Sequence, residues 1–211
     1  ERIGGEAIVT LAGPDGRTAK TSAQLRDHAS AVEHVITWLT SADSGVPLSR
    51  VGEIEAVGHR VVHGGERFTQ SQRVDEAVWR ELEELIELAP LHNPHNMRGI
   101  AAARAVLGAG VPQVAVFDTA FHRTLPDAAS TYAGPYAWLD QGIRRYGFHG
   151  TSFRWASERA AHLLGRSGDR HLRLILCHLG GGCSLCATRG GESIDTTMGF
   201  TPLDGIAMCT R

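Results

Sequence analysis

The sequence has 211 residues, 42% of them hydrophobic and 21% charged, and its formal net charge is -2 at pH 7. That length suits one large domain or one and a half ordinary ones, and it is enough to bury a core. No apolar run approaches the roughly 20 residues that span a bilayer, which excludes a membrane protein, and neither the charge nor any Lys/Arg cluster attracts nucleic acid, which argues against a nucleic-acid binder.

In chain order, Ile8 to Leu11 followed by Gly13 to Arg17 reads as a strand entering a turn, expected to be the end of a hairpin. Ala29, Val32, Val35, Ile36 and Leu39 recur at helical spacing and predict an amphipathic helix from Thr21 to Thr40. Ser41 to Ser49 is a polar loop. Ala56 to Val62 is a near-continuous β run, as expected of a buried strand that delivers residues to a site at its carboxyl end. Arg60 is an odd charge inside it. Val78, Leu82, Leu85 and Ile86 mark a second helix, and Asn93-Pro94 reads as an N-cap and first helical position of a third, which stops at Gly108 or Gly110.

Pro112 to Asp118 is the next buried strand, with Asp118 at its end. A helix from Ser152 to Leu164 precedes Gly165 as C-cap. The strand Leu172 to Cys177 runs into Gly180-Gly181-Gly182 and a second strand, Cys183 to Thr188, that turns at Gly190-Gly191. Strands alternating with helices predict an α/β protein, and the glycine hairpin makes the sheet mixed. Tyr132 to Arg145 reads as a linking or surface excursion.

Lys20 is the only lysine, so phosphate has to be held by Arg, His or backbone amides. Gly180-Gly181-Gly182 between two strands lets backbone N–H groups approach an anion closely. With Arg60, Asp118, His149 and Arg211 in or beside compact motifs, the set suits phosphoryl transfer. Cys183 and Cys186 form a C-x-x-C, but on a strand they face opposite sides; the four cysteines, with Cys177 and Cys209, are read as buried free thiols rather than a zinc site. His59 and His63 are read as structural, and His92 with His95 makes a poor metal pair.

Five segments then resemble the acetate kinase family in sequence and order: Gly58 to Glu66 (GHRVVHGGE), Leu88 to Pro94 (LAPLHNP), Val116 to His122 (VFDTAFH), Tyr146 to Ser152 (YGFHGTS) and Asp195 to Gly205 (DTTMGFTPLDG). The resemblance covers essentially the whole chain. It implies the actin-like ATPase and sugar-kinase (ribonuclease H-like) α/β architecture, here incomplete. Residues 1–145 are the expected remainder of an acyl-substrate domain and 146–211 the start of a nucleotide-binding domain.

The resemblance further implies reversible transfer of phosphoryl from ATP to acetate, with Mg²⁺ or Mn²⁺, in a cytoplasmic homodimer. It puts Arg60 and Arg211 on the substrate carboxylate and transition state, Asp118 as catalytic acid and His149 on the phosphoryl group. The loop His178, Leu179, Gly180, Gly181, Gly182 falls on the nucleotide phosphates. Val62, Leu91, Phe148 and Pro202 fall on the pocket for the acyl methyl. A carboxylate acceptor is already ionised at pH 7, so Asp118 is expected chiefly to position Mg²⁺ or its waters rather than act as a base. No metal ligand is placed within the chain.

Against the family pattern, Gly181 stands where Asn or Ser is common, Cys209 where Gly is usual, and Phe153 where a histidine is usual. Both ends read as cut, without the family's N-terminal phosphate loop and adenosine pocket, so the chain alone is expected to be inactive. The alternatives are a propionate or butyrate kinase, and a non-catalytic truncated module for binding or dimerisation.

Overall fold

The computed structural model describes residues 3–14, 16, 18–46 and 48–209. The chain divides into two compact units, one of residues 1–59 and 95–114, the other of residues 60–94 and 115–211. Every described residue placed above in a catalytic, acyl or nucleotide role belongs to the second.

The first unit opens with an antiparallel hairpin, β1 (Gly5–Ala12) and β2 (Thr18–Leu25), in register from Gly5 with Leu25 to Ala12 with Thr18, so Ile8 to Leu11 begin a hairpin rather than end one. The predicted helix over Thr21 to Thr40 is therefore half right. Thr21 to Leu25 pair with β1, and α1 spans only His28–Leu39. The helical periodicity began at Ala29, and the start is local: Asp27 Oδ1 accepts from Ser30 N at 2.8 Å while Ser30 Oγ accepts from Asp27 N at 3.1 Å, a reciprocal capping pair.

β3 (Val57–Val61) joins a three-stranded sheet of order β3-β5-β4, where β4 is Gln72–Arg73 and β5 is Gln113–Phe117. β3 lies at an edge of that sheet and alternates in exposure, which corrects the reading of a fully buried strand and explains how it tolerates Arg60. In α2 (Glu76–Glu84), Asp75 caps by accepting from Ala77 N and Val78 N, and Val78 and Leu82 are buried. Asn93, expected as the cap, is the first residue of α3 (Asn93–Leu107). It is fully buried, takes the His63 N–H at 3.2 Å and gives its amide to the carbonyls of His63 and Leu85.

After two short helices, α4 (Asp127–Ser130) and α5 (Ala137–Asp140), comes α6 (Gly150–Leu163), which ends at Gly165 in the left-handed region. The antiparallel sheet β6 (Arg173–Leu179), β7 (Cys183–Arg189) and β8 (Glu192–Thr196) closes the second unit. Gly190 and Gly191, at φ +61° and +86°, make the two-residue turn between β7 and β8, a conformation that suits hairpin twist. β8 carries no apolar alternation and is a strand because β7 pairs with it. Phe153, the departure from the family histidine, is 1% exposed and packs with Leu176 and Cys186, so it joins α6 to the sheet.

Candidate functional site

Arg60 lies on β3 and Asp118 directly follows the neighbouring strand β5. β5 ends at Phe117, and Asp118 opens a 3₁₀ helix through Thr124. The carboxylate is fully buried and takes Arg60 Nε at 3.0 and 3.2 Å and Nη2 at 2.6 Å. It also takes the His149 N–H at 3.1 Å and the Thr151 hydroxyl at 3.5 Å. The Arg60 side chain is 55% exposed, so Asp118 grips it from below while the guanidinium faces outward. The hydrogen bond to Asp118 raises the Arg60 pKa above its ordinary value, which keeps it a fixed cation.

His149 sits at the entry to α6 with φ +58°, the one non-glycine residue with positive φ among the described residues. Its ring stacks on that of His178, centroids 3.9 Å apart and planes at 17°. His149 Nδ1 lies 2.8 Å from Ser184 Oγ, and His178 Nδ1 lies 3.0 Å from Ser152 Oγ. Burial, with His178 alongside, lowers the His149 pKa to about 4. Gly182 has to lack a side chain, because a Cβ there would come 2.7 Å from His149 Nε2. Cys209 N donates to Gly181 O at 3.2 Å, which holds the chain two residues before Arg211 against the glycine loop; Arg211 itself lies outside the described residues.

Of the four expected acyl-pocket residues, the structure brings two together. Val62 and Phe148 form a buried cluster with Met198, against which Met208 packs. Leu91 is 79% exposed and lies outside that cluster, as does the half-buried Pro202. Two residues not anticipated hold the segment that carries Met198 and Pro202. Arg145 Nη1 donates to Thr196 O at 2.9 Å and Nε to Ala129 O at 3.1 Å. The Tyr132 hydroxyl donates to Asp204 at 2.5 Å and accepts from Phe200 N at 2.6 Å. The 132–145 segment is thus a surface excursion anchored at both ends. Its middle is exposed, Tyr136 at 88%. Single polar residues of this kind leave no periodic signal in a sequence.

His59, His63 and His122 are held inside the fold. His59 Nε2 lies 2.6 Å from Gln113 Oε1 in the first unit. His122 is 2% exposed; its Nε2–H donates to Phe148 O at 2.9 Å and Nδ1 lies 2.8 Å from Ser193 Oγ, so it holds the backbone of Phe148. Burial lowers His63 and His122 to about 4 from an ordinary 6.5. Both rings are neutral in the folded and unfolded chain above pH 6.5. Below it the unfolded chain takes up protons first, so stability falls as pH drops from 6.5 toward 4. Between pH 7 and 5 each should cost roughly 2 kcal/mol. Thermal unfolding across that range should show the loss, and His122→Gln should flatten the slope by one proton's share. An unchanged slope would show that His122 does not carry the effect.

Among the cysteines only Cys186 is buried, its thiol pushed up to about 11, while Cys177 and Cys209 are exposed. The reading of buried thiols therefore holds for one of four. Among the described residues no group of three His, Cys, Asp or Glu could hold a metal ion, and both Asp118 oxygens are taken by N–H and O–H donors. Among the described residues no helix is long and apolar enough to cross a membrane.

Residues 2–211 match the model of the Acetokinase family. The chain is 48% identical over 218 residues to an acetate kinase of Chloroherpeton thalassium, covering 100% of this chain and 52% of that protein. It is 50% identical over 213 residues to an acetate kinase of Methanosarcina acetivorans, covering 100% and 52%. Among solved structures, Porphyromonas gingivalis acetate kinase superposes with a TM-score of 0.88 at 41% identity, covering all of this chain and 53% of its own. A Francisella tularensis propionate kinase gives 0.86 at 38% identity, covering 100% and 52%. The chain spans about half the length of the curated relatives it matches, and its fold is that half of the actin-like ATPase fold, α/β with mixed sheets.

Proposed function

The chain belongs to the acetokinase family, and from that premise we propose that it carries the acyl-acceptor half of a site where ATP phosphorylates acetate to acetyl phosphate and ADP. The observation that carries this reading is the outward-facing Arg60 gripped by buried Asp118, beside His149 and the glycine loop. An acetate oxygen attacks the γ-phosphorus, and the bond from that phosphorus to the β-bridging oxygen breaks. Acetate is an anion at pH 7, so the step needs no base. It needs charge stabilisation on the equatorial oxygens.

Arg60 and Arg211 supply it, with the His149 ring as a further donor. Asp118 serves first to orient Arg60. His178 to Gly182 face the nucleotide phosphates, and Val62, Phe148, Leu91 and Pro202 border the acyl group. Mg²⁺ or Mn²⁺ is part of the proposal as an ion that arrives with ATP. The division at 145/146 into an acyl part and a nucleotide part, the cytoplasmic homodimer and the native direction of the reaction belong to the same proposal.

A hydroxamate assay with ATP, Mg²⁺ and acetate on the chain together with its flanking coding sequence tests the reading. Failure to form acyl phosphate from any short acid would sink it. Likeness to the Francisella propionate kinase favours one second reading, in which propionate is the preferred acid. Val62, 6% exposed against Phe148, decides between them by size. Val62→Ala should shift kcat/KM toward propionate relative to acetate by about tenfold, the worth of a methylene in an apolar pocket. If the ratio does not move, Val62 does not line the acyl pocket.

A further inference from the structure

The two stacked imidazoles are each held by a serine from the opposite element. His178 on β6 and Ser184 on β7 are direct cross-strand partners, so their side chains leave the same face of the hairpin. His149 and Ser152 belong to the entry and first turn of α6. Ser184 reaches His149 and Ser152 reaches His178, which closes a crossed clasp of four side chains.

Ser184 is fully buried, and among the described residues no other hydrogen bond reaches its hydroxyl. A buried hydroxyl has one proton to give, and Nδ1 of His149 is the acceptor beside it. Giving it there leaves the proton of the neutral ring on Nε2. The opposite tautomer would donate from Nδ1 and strand the serine proton inside the protein. Ser152 is only half-buried, so its proton is less constrained; its Oγ lies 3.0 Å from His178 Nδ1, and the parallel placement of the two rings extends the same tautomer to His178 as part of the inference. Both Nε2 atoms face the glycine loop, 2.7 Å from the place of a Cβ on Gly182 for His149 and 3.5 Å from that on Gly180 for His178.

We infer that Ser184 and Ser152 are positioning residues: they hold His149 and His178 as Nε2–H imidazoles and aim two N–H donors at the space over Gly180 to Gly182, where a phosphoryl group would lie. The inference rests on the phosphoryl-transfer reading above. The serines touch no substrate. They act by deciding which nitrogen donates and where it points, which matters because displaced donors lose most of their effect on a transition state.

Two experiments test this. In the ¹⁵N-labelled 211-residue chain, ring correlations should show a protonated Nε2 and an unprotonated, hydrogen-bonded Nδ1 for both histidines. A protonated Nδ1 on either neutral ring overturns the assignment. In the complete enzyme, Ser152→Ala should lower kcat about tenfold with KM for acetate little changed, and Ser152→Thr, which restores a hydroxyl, should recover most of it. Full kcat in Ser152→Ala, or equal impairment in Ser152→Thr, overturns the role. Ser184→Ala should act likewise; should that buried change unfold the protein, the Ser152 pair and the ring correlations still decide. A wild-type enzyme that forms no acyl phosphate would overturn the phosphoryl role, and the ring correlations would show separately whether the clasp exists.

Discussion

Replacing Arg60 by alanine is expected to lower kcat for acyl-phosphate formation by about 10²–10³, the usual loss for one preorganised transition-state donor. The substitution removes a cation held by three contacts of 2.6 to 3.2 Å to a fully buried carboxylate. It also strands Asp118, and an uncompensated buried charge is strongly destabilising, so the kinetic loss has to be separated from unfolding. Asp118→Asn makes that separation. It keeps the size of the side chain and one acceptor oxygen, but replaces the other oxygen by an N–H donor and removes the charge that orients the guanidinium. The two variants should therefore share a kcat defect, while Arg60→Ala loses more thermal stability. Exogenous guanidinium should restore part of the activity of Arg60→Ala and none of Asp118→Asn. A loss of less than about fivefold in steady-state rate for Arg60→Ala, at a temperature where it is folded, would reject its assigned role.

Gly150→Ala is expected to be nearly as damaging, although Gly150 carries no functional group. A Cβ there would meet the carbonyl oxygen of Asp118 at 1.9 Å and Phe121 Cβ at 2.8 Å. The first obstacle is backbone, so it cannot swing aside, and the first turn of α6 has to back away from Asp118. That movement breaks the 3.1 Å bond from His149 N to the carboxylate and shifts the imidazole relative to Arg60. Overpacking of this kind costs about 1–3 kcal/mol, and a displacement near 1 Å at a catalytic group costs about 10² in rate. Gly99→Ala is the matched control. It lies in α3 with nothing within 4 Å of its added Cβ, and should stabilise the helix by about 0.5–1 kcal/mol. Gly150→Ala with wild-type melting temperature and kcat would show that this close approach does not matter.

Some of this architecture was readable before any coordinates, and the boundary has a physical cause. Local signals decided the strands around Val57 to Val61 and Gln113 to Phe117, the helix read from Ser152 and observed from Gly150, its glycine stop and the glycine turns, because each depends on residues a few places apart. The motifs from Gly58 to Gly205 further identified the family. The helix read back to Thr21 failed because Thr21 to Leu25 carry no apolar helical spacing, and their conformation is decided by distant residues of β1, as in the pairing of Val9 with Thr21 and Gly5 with Leu25.

What only the tertiary structure decided is which polar groups answer one another. Arg60 meets Asp118 across 58 residues, Ser184 meets His149 across 35, Ser152 meets His178 across 26 and Tyr132 meets Asp204 across 72. Hydrogen bonds at such separations impose no period on the sequence, and a lone serine or tyrosine is as ordinary in a loop as in a site. The residue types that transfer phosphoryl groups were therefore legible one at a time. Their orientation, from the grip of Asp118 on Arg60 to the serines behind the two imidazoles, exists only once β3, β5, α6 and the β6–β7 hairpin have packed.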